Sequence, residues 1–585
     1  MDVTHYLSRD PETDRLNSRN PLGRFEPTPS KILNVEQTGS TTSSITLTFD
    51  ADDLADSYNI YVDGVLYKNT ESTTPRVSGL DEESSYAVRV AGVNEKGEGD
   101  LSDPVTMTTE VAPEIEEGDL SVLKAFPTAE GAGALSEGGR GGVVCKVTNL
   151  NDSGPGSLRH YIEEVIGPRI IIFEIGGTIE LKHHLRVRDP YITIAGQTAP
   201  GGGIQLKAHP DSTRQLMVVE THDVIVRYLR FRRGYTGHKE NNVGIGSGAQ
   251  NVIFDHLSMF WSENQNWSVW GRSVSSPPRN ITLQHSILAE MVDGRVNLLT
   301  GGSTSANAEA ITDLDFHNNL LTNSSHRNPL FQHASARWVN NIVYNWTSWA
   351  SRTTGGVHAD WISNLYTPGP APKSSRAQQE IMAVRWTEGM SSASTKLSRD
   401  PSLYIDGNRG RQSGMDPDTD NWPYTREAGP NDNGSVIGPM PSDWRRYEPL
   451  PVAGVPITVR HADDLEDHIL PQVGASRKLD CEGNWVSNRD EADERAITEY
   501  LNNEGILSNY GEGEEIYGGH PTLSSGTACQ STANDGIPDS WKINNGLQTT
   551  TPIANDLIPP VPGKVASGWT YMDVFLAGLN RADWE

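Results

Sequence analysis

The residues DLDFHNNLLTNSSHRNPLFQHASARWVNNIVYNW, Asp313 to Trp346, carry the pattern that decides the fold. Two strand-like runs, LDFHNNLL and ARWVNNIVYNW, flank HRNPLFQ and share the order apolar, any residue, Asn, Asn, apolar, apolar. An Asn pair recurring between short strands marks stacked coils whose inward Asn side chains form a ladder, each coil burying its apolar face only against the next. This reads as a parallel β-helix. Working outward, RIIIFEIGGTIEL, PYITIAGQTAPGGGIQLK, HDVIVRYLRFRRG, QNVIFDHLSMFWS and RNITLQHSILAE precede the quoted stretch. They recur about every 22 to 33 residues, inside the range of solenoids. After about Tyr366 the signal fades into Pro- and Ser-rich loops.

Composition agrees with short strands and turns. The chain has 585 residues, 35% of them hydrophobic, with 56 Gly and 35 Pro. No run of about 18 apolar residues occurs, so no segment is read as inserting in a membrane. The formal charge of −28 argues against nucleic acid or an anionic membrane as partner. It predicts an acidic, solvated surface on which salt screening beyond about 10 Å leaves local charges in command. Of three cysteines, Cys145 in GGVVCKV reads as a buried thiol. Cys481 and Cys529 lie in one C-terminal region and can pair, which stabilises by about 4 kcal/mol on the chain-entropy model and requires an oxidising compartment. The opening MDVTHYLSRD has no basic and apolar leader pattern. The expectation is a mature secreted chain, or one carried outside by another route such as a phage particle.

Residues 1–26 are polar, with Pro11, Asn17, Asn20 and Pro21, and read as a poorly ordered arm. In 27–110, SSITLTF, SYNIYVDGVLYK, YAVRVAGVN and PVTMTT alternate with period two. The Asp63–Gly64 hairpin after Tyr58, Ile60 and Val62, and Leu80 followed by Tyr86, Val88 and Val90, resemble a fibronectin type III sandwich. Phe49 stands near where that fold usually has a tryptophan, and no chemistry is assigned to the module. Residues 111–122 read as an acidic linker and 123–475 as the coil body. Its leading segment contains the turn Asn151–Gly156 and a short helix from Ser157 that covers the open end of the first coil. Residues 476–585 read as a C-terminal helix-and-loop region. There RDEADERAITEYLNN has a helical period, with Ala492, Ile497 and Leu501 for packing. ANDGIPD resembles a degenerate calcium loop with Asn534, Asp535 and Asp539.

HRNP after HNNLL resembles the R-x-P signature of the pectate lyase-like polysaccharide lyases, with Arg327 and Pro329 in the signature positions. The resemblance covers residues 123–370 well and the tail patchily. It implies an all-β chain built on a right-handed parallel β-helix that cleaves uronic-acid polysaccharides by β-elimination. A base removes the C5 proton, a cation stabilises the enolate, and the C4 oxygen leaves. It implies Arg327 as the base, which needs burial and neighbouring cations to favour a neutral guanidine. The structural alternative is that Arg327 clamps a carboxylate or pairs with an acid. His326 and Lys207 are bases of more ordinary pKa.

The resemblance also implies a calcium site of carboxylates on three segments. Counting from Asp255–His256, the acidic positions fall on Asn242, with Glu240 two residues earlier, on Trp261-Ser262-Glu263-Asn264-Gln265 and on Ser268. Three have become neutral, so Glu240, Asn242, Glu263 and Asn264 are expected to hold Ca2+ weakly. Positive charge comes instead from Arg227, Arg230, Arg232, Arg233, His238 and Lys239, and from Arg295 where the family has a substrate-binding lysine. Arg295, Arg233, Lys239, His326 and Trp267 form the expected substrate-binding set, against the alternative that the arginines pair with acids along the stack. Trp261, Trp267, Trp270 and Trp338 either stack on sugars or fill the coils, while Asp255 and His256 read as a structural pair. The expected partner is pectate or a related acidic glycan. A phage tail spike or adhesin that binds a glycan is the rival reading. A β-helix hydrolase ranks third, since its only nearby carboxylate pair would be Asp255 and Glu263 at the required separation of about 5–9.5 Å.

Overall fold

The computed structural model describes residues 27–41, 44–78, 80, 83–109, 119–293, 296–374, 379–385, 393–429 and 435–585. The expected arm at 1–26 and most of the expected linker lie outside the described residues. Two compact units divide the chain, Met1–Ala112 and Pro113–Glu585.

The first unit is a two-sheet sandwich. Glu36–Thr41, Ser44–Thr48 and Arg76–Ser78 form one sheet, and Val65–Thr70, Ser57–Val62, Ser85–Asn94 and Gly97–Glu98 the other, with Val105–Thr108 also paired to Ser85–Asn94. Alternation places Ile45, Leu47, Tyr58, Ile60, Val88 and Val90 in one core. Phe49 belongs to it, edge-on to Tyr58 at 4.9 Å. Asp63 and Gly64 turn with φ of 49° and 81°, as a two-residue hairpin requires.

The second unit is a parallel β-helix of three sheets, of ten, nine and ten strands. Each coil gives one strand to sheet I, one to sheet II and one to sheet III. In the decisive stretch these are Thr312–His317, Leu320–Thr322 and Leu330–Gln332, followed by Ser335–Val339, Ile342–Tyr344 and Ser351–Thr354. Parallel register puts Phe316 on Trp338, Leu320 on Ile342 and Leu330 on Arg352. At the corner between sheets I and II the second Asn of each pair donates to the next rung. Asn319 reaches Asn341 at 3.0 Å, Asn341 reaches Asn364 at 3.1 Å and Asn364 reaches Asn408 at 2.9 Å. The first Asn, Asn318 or Asn340, takes the left-handed turn with φ of 56° or 53°. Coils continue beyond Tyr366 to Arg426–Ala428. Long corner loops break the sequence period there.

The helix Leu158–Glu163 is capped by Ser157, which accepts from the His160 N–H. Leu158 and Ile162 join the interior of the coil stack. Residues 476–585 share the compact unit of the coils. Ala492, Ala496, Ile497 and Tyr500 of helix Glu491–Asn502 pack on Phe260, Ile287 and Leu320 of sheet II and on Trp261, the residue after its strand Ser258–Phe260. Leu501 was expected in that contact but is 42% exposed. It lies one residue past Tyr500, about 100° round the helix. Further on, Ile537, Trp541, Trp569 and Phe575 cover Ile170 and Ile172 of sheet I. Cys481 and Cys529 are bonded with Cα atoms 5.4 Å apart, and Cys145 is buried and free.

Candidate active site

Successive turns between sheets II and III form a second corner, and Arg327 sits on it between Thr322 and Leu330. Neighbouring coils hold its backbone on both sides. The Arg327 carbonyl accepts from Leu298 N–H at 2.8 Å, Asn328 N–H donates to Ala350 at 2.8 Å, and the Pro329 carbonyl accepts from Arg352 N–H at 2.9 Å. Arg327 itself has φ of 65°, a left-handed turn that costs of order 1–3 kcal/mol and persists only where neighbours over-determine it. The residue is half-buried.

Strand alternation selects what the outer face of sheet III presents. Trp267, Val269, Leu298 and Phe331 point into the coil core. Their neighbours therefore point out, with Gly244, Ser268, Leu299, Leu330 and Arg352 in one row and Trp270, Gly301 and Gln332 in a second. A Cβ on Gly301 would meet the Trp270 ring at 2.9 Å, so glycine is what lets the indole lie across the face. His326 meets Trp349 edge-to-face at 5.0 Å, and the Arg352 guanidinium lies over the Trp349 ring at 4.5 Å. Lys396 donates to Gln332 at 2.5 Å. On the next turns Lys373 donates to the Trp346 carbonyl at 2.5 Å, and burial lowers its pKa to about 8. Sequence reading missed Trp349, Arg352, Lys373 and Lys396. Arg352 had a signal, since it stands one coil after Leu330, but the two lysines arrive from irregular loops.

Of the expected site residues, His326 and Arg327 share this corner. Lys239 is exposed further along it, 3.5 Å from Asp293. Arg295 lies outside the described residues. Trp267 is a correction, because it is fully buried and edge-on to Phe254 at 4.5 Å, so it fills the coil and cannot reach a substrate. Trp261 and Trp338 are likewise buried, whereas Trp270 faces outward. Lys207 is half-buried, 3.9 Å from Glu180.

Arg233 is also corrected. It is wholly buried, paired with the equally buried Glu263, and donates to Thr236 Oγ1 at 2.7 Å and the Ser212 carbonyl at 3.2 Å. Glu263 Oε1 accepts from Gly237 N–H at 2.6 Å, and Oε2 accepts from Thr236 N–H at 3.0 Å and its hydroxyl at 2.9 Å. Asn242 accepts from Arg233 N–H at 3.0 Å and donates to Phe260 O at 2.8 Å and Asn266 Oδ1 at 2.7 Å. Glu240 is half-buried, its pKa raised by burial against the pull of Arg233 and Arg214, and Asn264 is half-buried. Calcium takes six to eight oxygens. Here both Glu263 oxygens accept from protein donors, the Arg233 guanidinium pairs with Glu263, and both ends of the Asn242 amide are bonded to protein. Glu240, Asn242, Glu263 and Asn264 therefore do not fit calcium as a set.

The remaining arginines bind protein. Arg227 donates to Asp255 at 2.7 Å, Arg230 lies 2.9 Å from Asp490, and Arg232 lies 2.8 Å from Asp493. Asp255 also accepts from Gln284 at 2.8 Å and lies 2.8 Å from His256, which is stacked on Tyr228 at 4.6 Å and His285 at 4.8 Å. A hydrolytic pair of Asp255 and Glu263 is thus already engaged on both sides. In the C-terminal loop the buried Lys542 ammonium sits 2.8 Å from Asp535, Lys146 donates to Asn534 at 2.8 Å, and Thr532 N–H donates to Asp539 at 2.9 Å. Protein donors thus engage Asn534, Asp535 and Asp539 in that loop. Among the described residues no cluster of three or more His, Cys, Asp or Glu is arranged to hold a metal ion.

The fibronectin type III domain family matches residues 27–108. Over 470 residues the chain is 30% identical to "Probable pectate lyase C" of Aspergillus oryzae, covering 78% of this chain and 94% of that protein. Its namesake in Neosartorya fischeri is 31% identical over 465 residues, 79% of this chain and 94% of the relative. Among solved structures, Jun a 1, the major allergen from cedar pollen, is similar over 59% of this chain and 92% of its own, at 15% identity and a TM-score of 0.41. Nearly the whole length of the two fungal relatives is matched, and the match must run through most of the coil unit. The chain belongs to the pectate lyase family.

Proposed function

We propose that this protein cleaves a uronic-acid polysaccharide, pectate or a related acidic glycan, by β-elimination on the outer face of sheet III, with Arg327 taking the C5 proton. The observation that carries the reading is the corner itself. Arg327 is held on a rigid turn beside His326, with the buried Arg352 one rung on and the buried Lys396 bonded to Gln332. Burial and adjacent cations are the conditions under which a guanidinium yields a proton. The same cations stabilise the enolate that forms as the electron pair of the broken C5–H bond moves towards the carboxylate. The C4–O bond then breaks as the C4=C5 double bond forms, the oxygen leaves with the bond pair and takes a proton from solvent, and an unsaturated uronate remains. His326 is the second proton acceptor within reach of the face. Trp270 offers an aromatic surface to the C–H face of a sugar ring, and Lys239 a cation for a carboxylate further along. Protein cations supply the positive charge.

The Cys481–Cys529 bond suits an oxidising compartment, which supports a secreted enzyme. No helix among the described residues is long and apolar enough to cross a membrane.

The test is absorbance of the unsaturated uronate during incubation with polygalacturonate and other acidic glycans. Arg327→Ala is expected to slow the rise by about 10²–10⁴-fold, the usual contribution of a general base. Glycan binding with no unsaturated product on any uronate would leave a binding spike or adhesin as the better reading.

A further inference from the structure

Three consecutive turns between sheets II and III are stacked at Arg327. Residues 323–329 form the first and carry Arg327, residues 345–350 form the second and residues 368–380 the third. Hydrogen bonds tie them rung to rung. Asn345 donates to Asn323 Oδ1 at 2.7 Å, and Ala371 N–H donates to Asn345 Oδ1 at 3.0 Å. Ser348 N–H donates to the Ser325 carbonyl at 2.9 Å, and Ser374 N–H to the Thr347 carbonyl at 2.9 Å. Lys373 belongs to the third turn and reaches back to the second, where it donates to the Trp346 carbonyl at 2.5 Å and lies 5.3 Å from the Trp346 ring. That second turn also carries Trp349, which meets His326 at 5.0 Å. The backbones of Arg327 and Lys373 are thus two coil spacings apart, about 10 Å, and the lysine side chain closes part of that distance.

Arg227, Arg230, Arg232, Arg233 and Arg337 each pair with a carboxylate. Among the described residues no carboxylate pairs with Lys373. Of the charged groups on the packed turns and their flanks, His326 and Arg327 lie on the first, Arg352 follows the second and Glu380 ends the third, where it accepts from the Gln412 and Ser413 N–H groups at 3.1 and 3.2 Å. Glu499 bonds Asn323 where the first turn begins. None of them shifts Lys373, whose pKa burial alone lowers to about 8. An ammonium has three donors, and the Trp346 carbonyl takes one. Lys373 is half-buried between the exposed Pro372 and Ser374. A partly desolvated charge without a counter-ion is costly, and an arriving anion removes that cost. The bond to Trp346 holds the ammonium in place before the anion arrives, which spares the entropy of ordering a long side chain.

We infer that Lys373 anchors a second uronate subsite, its ammonium holding the carboxylate of a sugar further along the glycan from the one at Arg327. This rests on the lyase reading above and deepens it. The glycan runs along the stack towards the later coils, and two free carboxylates spaced along one chain are what the site recognises. Lys373 acts on binding and position, and the proton transfer stays at Arg327.

Two measurements keep the two readings apart. Affinity for polygalacturonate is read without turnover, from retardation in gels cast with and without the glycan across about pH 7–10, and KM and kcat are read from the unsaturated product. Wild type is expected to hold its affinity up to about pH 8 and to lose it above, as the ammonium gives up its proton. Lys373→Arg should bind as wild type does at neutral pH and keep that affinity to the top of the range, because a guanidinium stays charged there. Lys373→Gln keeps a donor for the Trp346 carbonyl without the charge. It should weaken binding about tenfold, the scale of one charge-assisted hydrogen bond, remove the alkaline fall, and raise KM by a similar factor with kcat nearly unchanged. Wild-type affinity in Lys373→Gln, or a Lys373→Arg variant that binds as weakly as Lys373→Gln, overturns the subsite. Where Lys373→Gln does not fold, Lys373→Arg decides alone, and an alkaline fall that persists in it overturns the subsite. Absence of unsaturated product from every uronate defeats the lyase reading, while the gels still decide whether Lys373 holds a carboxylate.

Discussion

Both oxygens of Glu263 accept from protein donors, and Arg233 is the charged one among them. A buried pair of this kind is costly to break, by about 3–5 kcal/mol, because the remaining charge stays buried. A metal at a hundred times its dissociation constant would by contrast add about 2.7 kcal/mol to stability. Glu263→Gln should therefore lower the urea midpoint strongly in the presence or absence of calcium. Titration calorimetry of wild type should show no calcium heat that this substitution removes, and a saturable heat lost in Glu263→Gln would restore the metal site. The loss of acids was legible in the sequence, as was the crowd of arginines before Asn242. What was not legible is that a residue 30 positions away would use one of those arginines, because the pairing follows from how a corner loop folds back across the stack. The tryptophans make the same point at finer scale. Trp267 and Trp270 differ by an odd number of positions in one strand, so they face opposite sides of the sheet. Sequence showed two candidates, and only register tells which is outside.

Repeating elements were the readable part of the molecule. The Asn pairs and apolar runs recur because every coil meets the same neighbours, so local pattern and fold coincide. Helix Glu491–Asn502 was read as an element but not placed. Its partners, such as Arg232 for Asp490 at its cap and Asn323 for Glu499, lie 258 and 176 residues away, with no repeat to betray them. One consequence of that docking is a pH dependence. Glu499 is half-buried at the end of the helix, and desolvation first, then the charge of Glu290, raises its pKa from 4.5 to about 7. A carboxyl with a raised folded-state pKa favours folding fully below its unfolded value, and the contribution is lost as pH rises through the folded one. Stability should thus fall between about pH 4.5 and 7 by at most about 3 kcal/mol from this group. Chemical denaturation across that range checks it, with Glu499→Gln expected to flatten the slope. An equal slope in the variant would assign the dependence to other groups.

At the scale of the whole molecule, a net charge of −28 faces a polyanionic substrate, while the corner at Arg327 gathers cations. These act over different distances. The global repulsion is long-ranged and works on the approach of the polymer, whereas the proposed contact of a substrate carboxylate with Arg327 acts at short range. The Debye length shrinks from about 30 Å at 0.01 M salt to about 8 Å at 0.15 M, so moderate salt should remove the first effect before it weakens the second. Electrostatic effects on encounter appear in association rate. The expectation is that kcat/KM on polygalacturonate rises from low to physiological ionic strength and declines only well above it, with kcat changing little over the rising limb. Partly esterified pectin carries less charge and should show a shallower rise. A kcat/KM that falls steadily from the lowest salt would mean that the local cations already dominate at long range, and that the acidic surface is turned away from the path by which the glycan arrives.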